Sequence, residues 1–383
     1  MLLGLCLGVA IALSLRPPLL ATAQTSSPEL RGVWLTNIDS DVLFSRRHLD
    51  RALHRLARLN FNTVYPTVWN WGYTLYPSNI AAEVTGYPVD PHPGFQQRDM
   101  LQEVVQLGHQ RGLAVVPWFE FGLMAPADSE LALRHPDWLS RRQDGTTVWM
   151  QGKYPRVWLN PFHPQVQQLI VGLIGEIVSE YEIDGIQLDD HFGLPVEMGY
   201  DPLTVQLYRR SHNGSSPPRN PKDPEWMRWR ADQMTRLMAQ VFETVKARKS
   251  DCIVALSPNS REFAYQNFLQ DWGNWERRGY VEELILQVYR RHLDAFTQEL
   301  DRPEVQQART HIPVGVGILT GLIEEPPIDT RLIAAKLNAV RDRRFAGVSF
   351  FFYETLNGRD AALHAMFPHP AQRPTVTHNV SSG

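Results

Sequence analysis

From residue 30 onward the sequence alternates between two kinds of segment. Short runs dense in β-branched and aromatic residues give way to longer stretches whose apolar positions recur every three or four residues. The first kind reads as buried strand, the second as amphipathic helix. Eight strand-like runs occur: RGVWLTN (31–37), FNTVYPTVW (61–69), LAVVPWFEFG (113–122), DGIQLDDH (184–191), CIVALSPNS (252–260), ELILQVYR (283–290), IPVGVGIL (312–319) and GVSFFFYE (347–354). Between them, residues 45–60 line Leu49, Leu53, Leu56 and Leu59 along one face, and residues 97–112 close on a glycine, a common helix stop. Residues 163–181 and 224–248 are long and periodic, and residues 329–344 start at Asp329, a side chain suited to capping free backbone N–H groups.

Strands alternating with helices predict a parallel α/β fold, and eight such strands predict a single closed (β/α)8 TIM barrel. A doubly wound open sheet is the alternative, but its first strand would normally lead into a glycine-rich phosphate turn, and RGVWLTN does not. The barrel is assigned to residues 24–368. Residues 192–223, which overlap the Pro- and Asn-rich stretch NGSSPPRNPKDP (213–224), read as an extended loop after the fourth strand, and residues 369–383 as a frayed tail.

The first fifteen residues, MLLGLCLGVAIALSL, interrupt this rhythm. They form an apolar run followed by Ala21-Thr22-Ala23, a small-x-small site, and predict a signal peptide cleaved after Ala23 and an exported protein, periplasmic or extracellular. An uncleaved N-terminal anchor is the other reading, although the run is shorter than the ~20 residues of a spanning helix. Loss of this segment would leave Cys252 as the lone cysteine, so no internal disulfide supports the fold. A net charge of −3 and the lack of any recognisable nucleic-acid module give no support to a nucleic-acid partner. The 11 Trp and 12 Tyr are numerous enough to furnish both a core and a sugar-binding cleft.

In a (β/α)8 barrel the active site lies at the C-terminal ends of the strands. Those ends carry Asn37, Trp69, Glu120, Asp189-Asp190-His191, Asn259, Gln287, Tyr289, Tyr353 and Glu354. Alternation along a strand says which of them point inward. Ile186 and Leu188 are the apolar set that must face the helices, so Gln187 and Asp189 face the axis. Val116, Trp118 and Glu120 share a parity and are placed inward too. By the same rule Ser349, Phe351 and Tyr353 are expected to face inward. Glu120 and Asp189 then meet in one aromatic-lined cavity. A carboxylic acid that protonates the leaving oxygen and a carboxylate that attacks or steadies the sugar are the equipment of glycoside hydrolysis. Asp190 is expected to orient the catalytic pair. His191, Asn37, Trp69, Trp118, Asn259, Gln287, Tyr289, Tyr353 and Glu354 are expected to contact sugar.

RGVWLTN, FNTVYPTVW, VVPWFEFG, DGIQLDDH, ALSPN and FFYE, in this order, resemble the glycosyl-hydrolase-like family ten barrels of bacterial envelopes, over roughly residues 29–360. The resemblance implies a glycosidase acting on a polysaccharide, with peptidoglycan as a substrate, association with the cell envelope, and no cofactor. The Asp-Gly-x-x-x-Asp pattern also resembles the nucleophile strand of α-amylase-type barrels, where the second Asp, here Asp189, is the nucleophile. Strand five departs from the amylase pattern: it ends in SPNS, without an acid–base Glu, which leaves Glu120 to supply the proton.

Two other chemistries use the same residues. Asp189, Asp190 and His191 could hold a divalent metal in a deacetylase-like hydrolase, with His163 or His212 completing the set. A barrel that binds glycan without cutting it is the third reading.

Overall fold

The computed structural model describes residues 28–376; the apolar leader and the residues after 376 lie outside the described residues. The central sheet has nine parallel strands: β1 (Leu30–Leu35), β2 (Thr63–Pro66), β3 (Ala114–Val115), β4 (Trp118–Phe119), β5 (Gly185–Asp189), β6 (Ile253–Ser257), β7 (Glu283–Gln287), β8 (Val314–Leu319) and β9 (Gly347–Phe351). Their order is β3-β2-β1-β9-β8-β7-β6-β5-β4. The two end strands, β3 and β4, are halves of one run, split where Pro117 has no N–H to give. Val116 N–H donates back to Val64 O on β2, while Pro117 O accepts from Gln187 N–H on β5. The sheet therefore closes on itself, and eight sequence runs form one barrel.

The predicted helices form at Arg46–Arg58, Met100–His109, Pro164–Glu180, Pro224–Arg248 and Thr330–Asp342. Ser45, Asp99 and Asp329 cap three of them by accepting backbone N–H groups. The apolar faces of these helices join the outward strand residues Val33, Leu35, Ile186, Leu188, Val254 and Leu256 in one large core.

A second, smaller cluster fills the barrel axis: Leu30, Trp34, Tyr65, Val116, Trp118, Ile285 and Phe352, with Phe351 packed on it. The rings leave little room. A Cβ on Gly32 would stand 2.7 Å from the Tyr65 ring and 2.9 Å from Ser349 Oγ, so this inward position on β1 must be glycine.

Three features depart from the sequence reading. The segment after the fourth strand is not a plain loop: residues 202–211 form a helix, Pro202–Ser211, capped by Asp201. A larger excursion follows β4, where Met124–Pro126, Trp149–Gln151 and Tyr154–Trp158 build a three-stranded antiparallel sheet. Lastly, the segment from 369 is pinned as far as Arg373 rather than frayed. His369 O and Ala371 O accept from Arg31 and Asn62, and Arg373 pairs at 2.6 Å with Glu283, which is buried at the start of β7. This segment seals the N-terminal end of the barrel, opposite the catalytic end.

Candidate active site

Glu120 and Asp189 both lie at the C-terminal end of the barrel, as strand parity requires, and both are buried, at 6% and 1% exposure. Inward residues two before each, Trp118 and Gln187, anchor them to the axial cluster. Gln187 accepts from the Trp34 indole at 2.7 Å, and Trp118 donates its indole N–H to Asp189 Oδ2 at 3.2 Å.

Glu120 is held through one oxygen. Its Oε2 accepts from Thr36 Oγ1 (2.9 Å), Thr67 Oγ1 (2.8 Å) and Asn70 Nδ2 (3.0 Å). The same Asn70 amide donates to Asn37 Oδ1 at 2.8 Å. Oε1 has no hydrogen-bond partner among the described residues and is left to meet a ligand. Burial is the main cause that pushes Glu120 up to about 7, with the hydroxyl donors opposing and the Asp189 charge assisting.

Asp189 accepts the His191 backbone N–H on Oδ1 at 2.9 Å. Burial raises it as well, to about 7, against the pull of His191. The His191 ring lies 3.5 Å from Asp189 and 3.7 Å from Asp190, and its Nδ1–H donates to the Glu120 backbone carbonyl at 2.8 Å. Burial disfavours the charged ring, but Asp190 and Asp189 outweigh it and push His191 up to about 10. The cluster is therefore an imidazolium beside two carboxyls. The His191 ring, its backbone N–H and the Trp118 indole N–H all lie against Asp189, whereas Glu120 has only neutral hydroxyl and amide donors. A charge on Asp189 raises Glu120 further, so ionisation of one carboxyl opposes that of the other.

Asp190 sits at the mouth and is fixed from both sides, by Asn259 Nδ2 at 2.8 Å and Gln287 Nε2 at 3.0 Å. Tyr289 completes this side. Burial and the charges of Asp190, Asp189 and Glu120 drive its phenol well above the ordinary range. Thus Asn37, Trp118, His191, Asn259, Gln287 and Tyr289 gather around the three acids.

Three expected contacts lie elsewhere. Trp69 is wholly buried and donates its indole N–H to Gly122 O at 2.9 Å. The chain turns into a hairpin (Trp69–Asn70 with Tyr73–Thr74) just after β2, so Trp69 supports the site from below while its neighbour Asn70 enters it. Tyr353 lies beneath the Arg55 guanidinium, 5.3 Å from its ring centroid, and Glu354 accepts from Ser40 Oγ at 2.7 Å. Strand β9 ends at Phe351; Phe351 and Phe352, joined by a cis peptide bond, both pack at the axis, and a short 3-10 turn carries Tyr353 and Glu354 away.

Thr36, Thr67 and Asn70 were not foreseen. Parity does mark two of them, since Thr36 follows inward Trp34 and Thr67 follows inward Tyr65, but a threonine gives no chemical signal of its own.

Ligand atoms of Asp189, Asp190 and His191 lie within 4.8 Å of one another, as a metal site would need. His191 Nδ1–H donates to the Glu120 carbonyl, which leaves Nε2 as the ring nitrogen open to a ligand, and both Asp190 oxygens accept amide N–H groups. Neither histidine named as a completing ligand joins them: His163 caps its helix and His212 pairs with Glu225 at 2.8 Å.

The family model described as Glycosyl hydrolase-like 10 matches residues 29–330. Glycosyl hydrolase DigH of Escherichia coli K12 is 25% identical over 316 residues, spanning 72% of this chain and 68% of DigH. Glycosyl hydrolase YngK of Bacillus subtilis is 24% identical over 308 residues, spanning 71% of this chain and 56% of YngK. Among solved structures, the PgaB (BpsB) glycoside hydrolase domain from Bordetella bronchiseptica aligns with a TM-score of 0.67 at 14% identity, covering 88% of this chain and 99% of that domain. The catalytic domain of β-amylase from Paenibacillus polymyxa aligns at 0.59 and 10% identity, covering 88% and 95%. At such identities the structural likeness carries the fold.

Proposed function

The chain belongs to the Glycosyl hydrolase-like 10 family, and from that premise we propose that it is an exported glycosidase that hydrolyses a cell-envelope glycan such as peptidoglycan. The observation that carries the reading is the pair of buried carboxyls, Glu120 and Asp189, held by different kinds of donor at one end of a barrel. Asp189 has an imidazolium, a backbone N–H and an indole N–H around it, and serves as the ionised partner that attacks or steadies the oxocarbenium-like centre. Glu120 keeps its proton beside that charge and delivers it from Oε1 to the leaving oxygen. Asp190, clamped by Asn259 and Gln287, keeps His191 charged and in place. Asn37 and Tyr289 offer an amide and a phenol to sugar hydroxyls. The apolar leader at residues 1–23 supports export, and the names of DigH and YngK support a glycan substrate.

The test is digestion of purified peptidoglycan strands alongside starch, cellulose and chitin, with new reducing ends read by mass spectrometry. Release from the envelope glycan is the expected result. Release from the neutral polymers alone would overturn the substrate assignment.

A further inference from the structure

The excursion after β4 builds one wall of the site, and its middle strand has a graded face. In Tyr154–Trp158, alternate residues point the same way, so Tyr154, Arg156 and Trp158 share one side. The contacts show that this side is turned to the site. Trp158, only 1% exposed, lies 6.5 Å from the His191 ring, and the Arg156 guanidinium lies 5.0 Å from the ring of Phe121, the residue after Glu120. Phe121 is itself 5.8 Å from His191. Tyr154, 49% exposed, ends the line in solvent, 5.3 Å beneath the same guanidinium.

Arg156 is unusual in its bonding. It donates Nε–H to Gln151 at 3.1 Å, a residue of the neighbouring strand, and this fixes the plane of the guanidinium. Among the described residues no carboxylate lies within 4 Å of it, and Asp128 acts on it only from farther away. Two aromatic rings and one amide therefore hold a half-buried guanidinium whose two terminal nitrogens have no partner among the described residues. A guanidinium in this state is prepared for a planar anion, which it would grip through two parallel N–H bonds.

We propose that Tyr154 and Arg156 form a subsite for a sugar ring that carries a carboxylate, with the ring stacked on Tyr154 and the carboxylate held by Arg156. The proposal rests on the glycosidase reading and names what that site selects: an acidic glycan in preference to a neutral one. Trp158 and Phe121 transmit the position of this ring to His191 and Glu120, so the bound carboxylate sets the register of the chain over the acids.

The test separates binding from cleavage. Soluble peptidoglycan glycan strands are prepared with their carboxylates free and with the carboxylates reduced to alcohols. Binding of both forms is measured by calorimetry on Glu120→Gln, which cannot cut, and on the same protein with Arg156→Gln or Arg156→Lys added. A charge-assisted hydrogen bond predicts an affinity about ten- to a hundredfold lower when either the carboxylate or Arg156 is removed. Removing both should cost no more than removing one, and lysine should recover part of the loss. Equal weakening of both glycan forms by Arg156→Gln, no weakening of either, or no binding of the acidic form would each overturn the subsite. Cleavage by the wild type is scored separately. Cleavage without an Arg156 effect refutes the subsite and keeps the glycosidase, and selective binding without cleavage does the reverse.

Discussion

Glu120→Gln separates the stability of the barrel from its chemistry. Glutamine keeps the outline of the side chain, and its carbonyl oxygen can replace Oε2 as acceptor for Thr36, Thr67 and Asn70. What disappears is the titration. Burial raises Glu120 from 4.5 to about 7, and each pH unit of that difference corresponds to about 1.36 kcal/mol. Because the folded value exceeds the unfolded one, the folded state holds the proton more tightly. The stabilisation tied to that proton is complete below about pH 4.5 and is lost as pH rises through about 7. In full it amounts to about 3 kcal/mol. The glutamine variant has no such loss, so its stability relative to wild type should climb by about 3 kcal/mol between roughly pH 4.5 and 8 and then level off. Urea unfolding of both proteins across this range, differenced at each pH, measures the effect. Parallel curves would mean that Glu120 ionises as freely in the fold as in the unfolded chain, and the reasoning that makes it the acid would fail.

Trp118→Phe removes the indole donor from Asp189 Oδ2. Loss of a hydrogen bond to a charged group, about 1.5–3 kcal/mol, should move the acidic limb of the kcat/KM profile up by about 1–2 pH units; an unmoved limb would show that Asp189 is not the ionised partner. Arg373→Ala leaves Glu283 buried without its cation, and should cost about 3–5 kcal/mol in thermal or urea unfolding, whereas a truly frayed tail would give no change. Gly32→Ala drives a methyl into Tyr65 and Ser349 and should destabilise by about 1–3 kcal/mol, read as a lower Tm; a neutral substitution would mean the axial cluster is loosely packed.

The sequence made the barrel and the acid pair legible because both depend on alternation in strands with one face toward helices. Gln187 and Asp189 point inward because Ile186 and Leu188 must not, and Trp118 and Glu120 follow the same rule. The rule fails where a run stops being a strand. FFYE looks continuous, but β9 ends at Phe351 and the alternation breaks at Phe352, so Tyr353 and Glu354 leave the site. FNTVYPTVW looks continuous too, yet the chain turns into a hairpin after Pro66 and buries Trp69. The wall that carries Tyr154 and Arg156 left no trace in the hydrophobic pattern. Its strands are three to five residues long and antiparallel, and their polar positions match those of a loop.

The measurement that tests the central claim most directly is the rate of reducing-end release from peptidoglycan strands by wild type, Glu120→Gln and Asp189→Asn, each shown to be folded and each assayed with and without EDTA. Two-carboxylate catalysis predicts that wild type keeps its rate in EDTA and that both variants fall by at least ~10²-fold. A wild-type rate abolished by EDTA, or a variant that keeps the full rate, would contradict it.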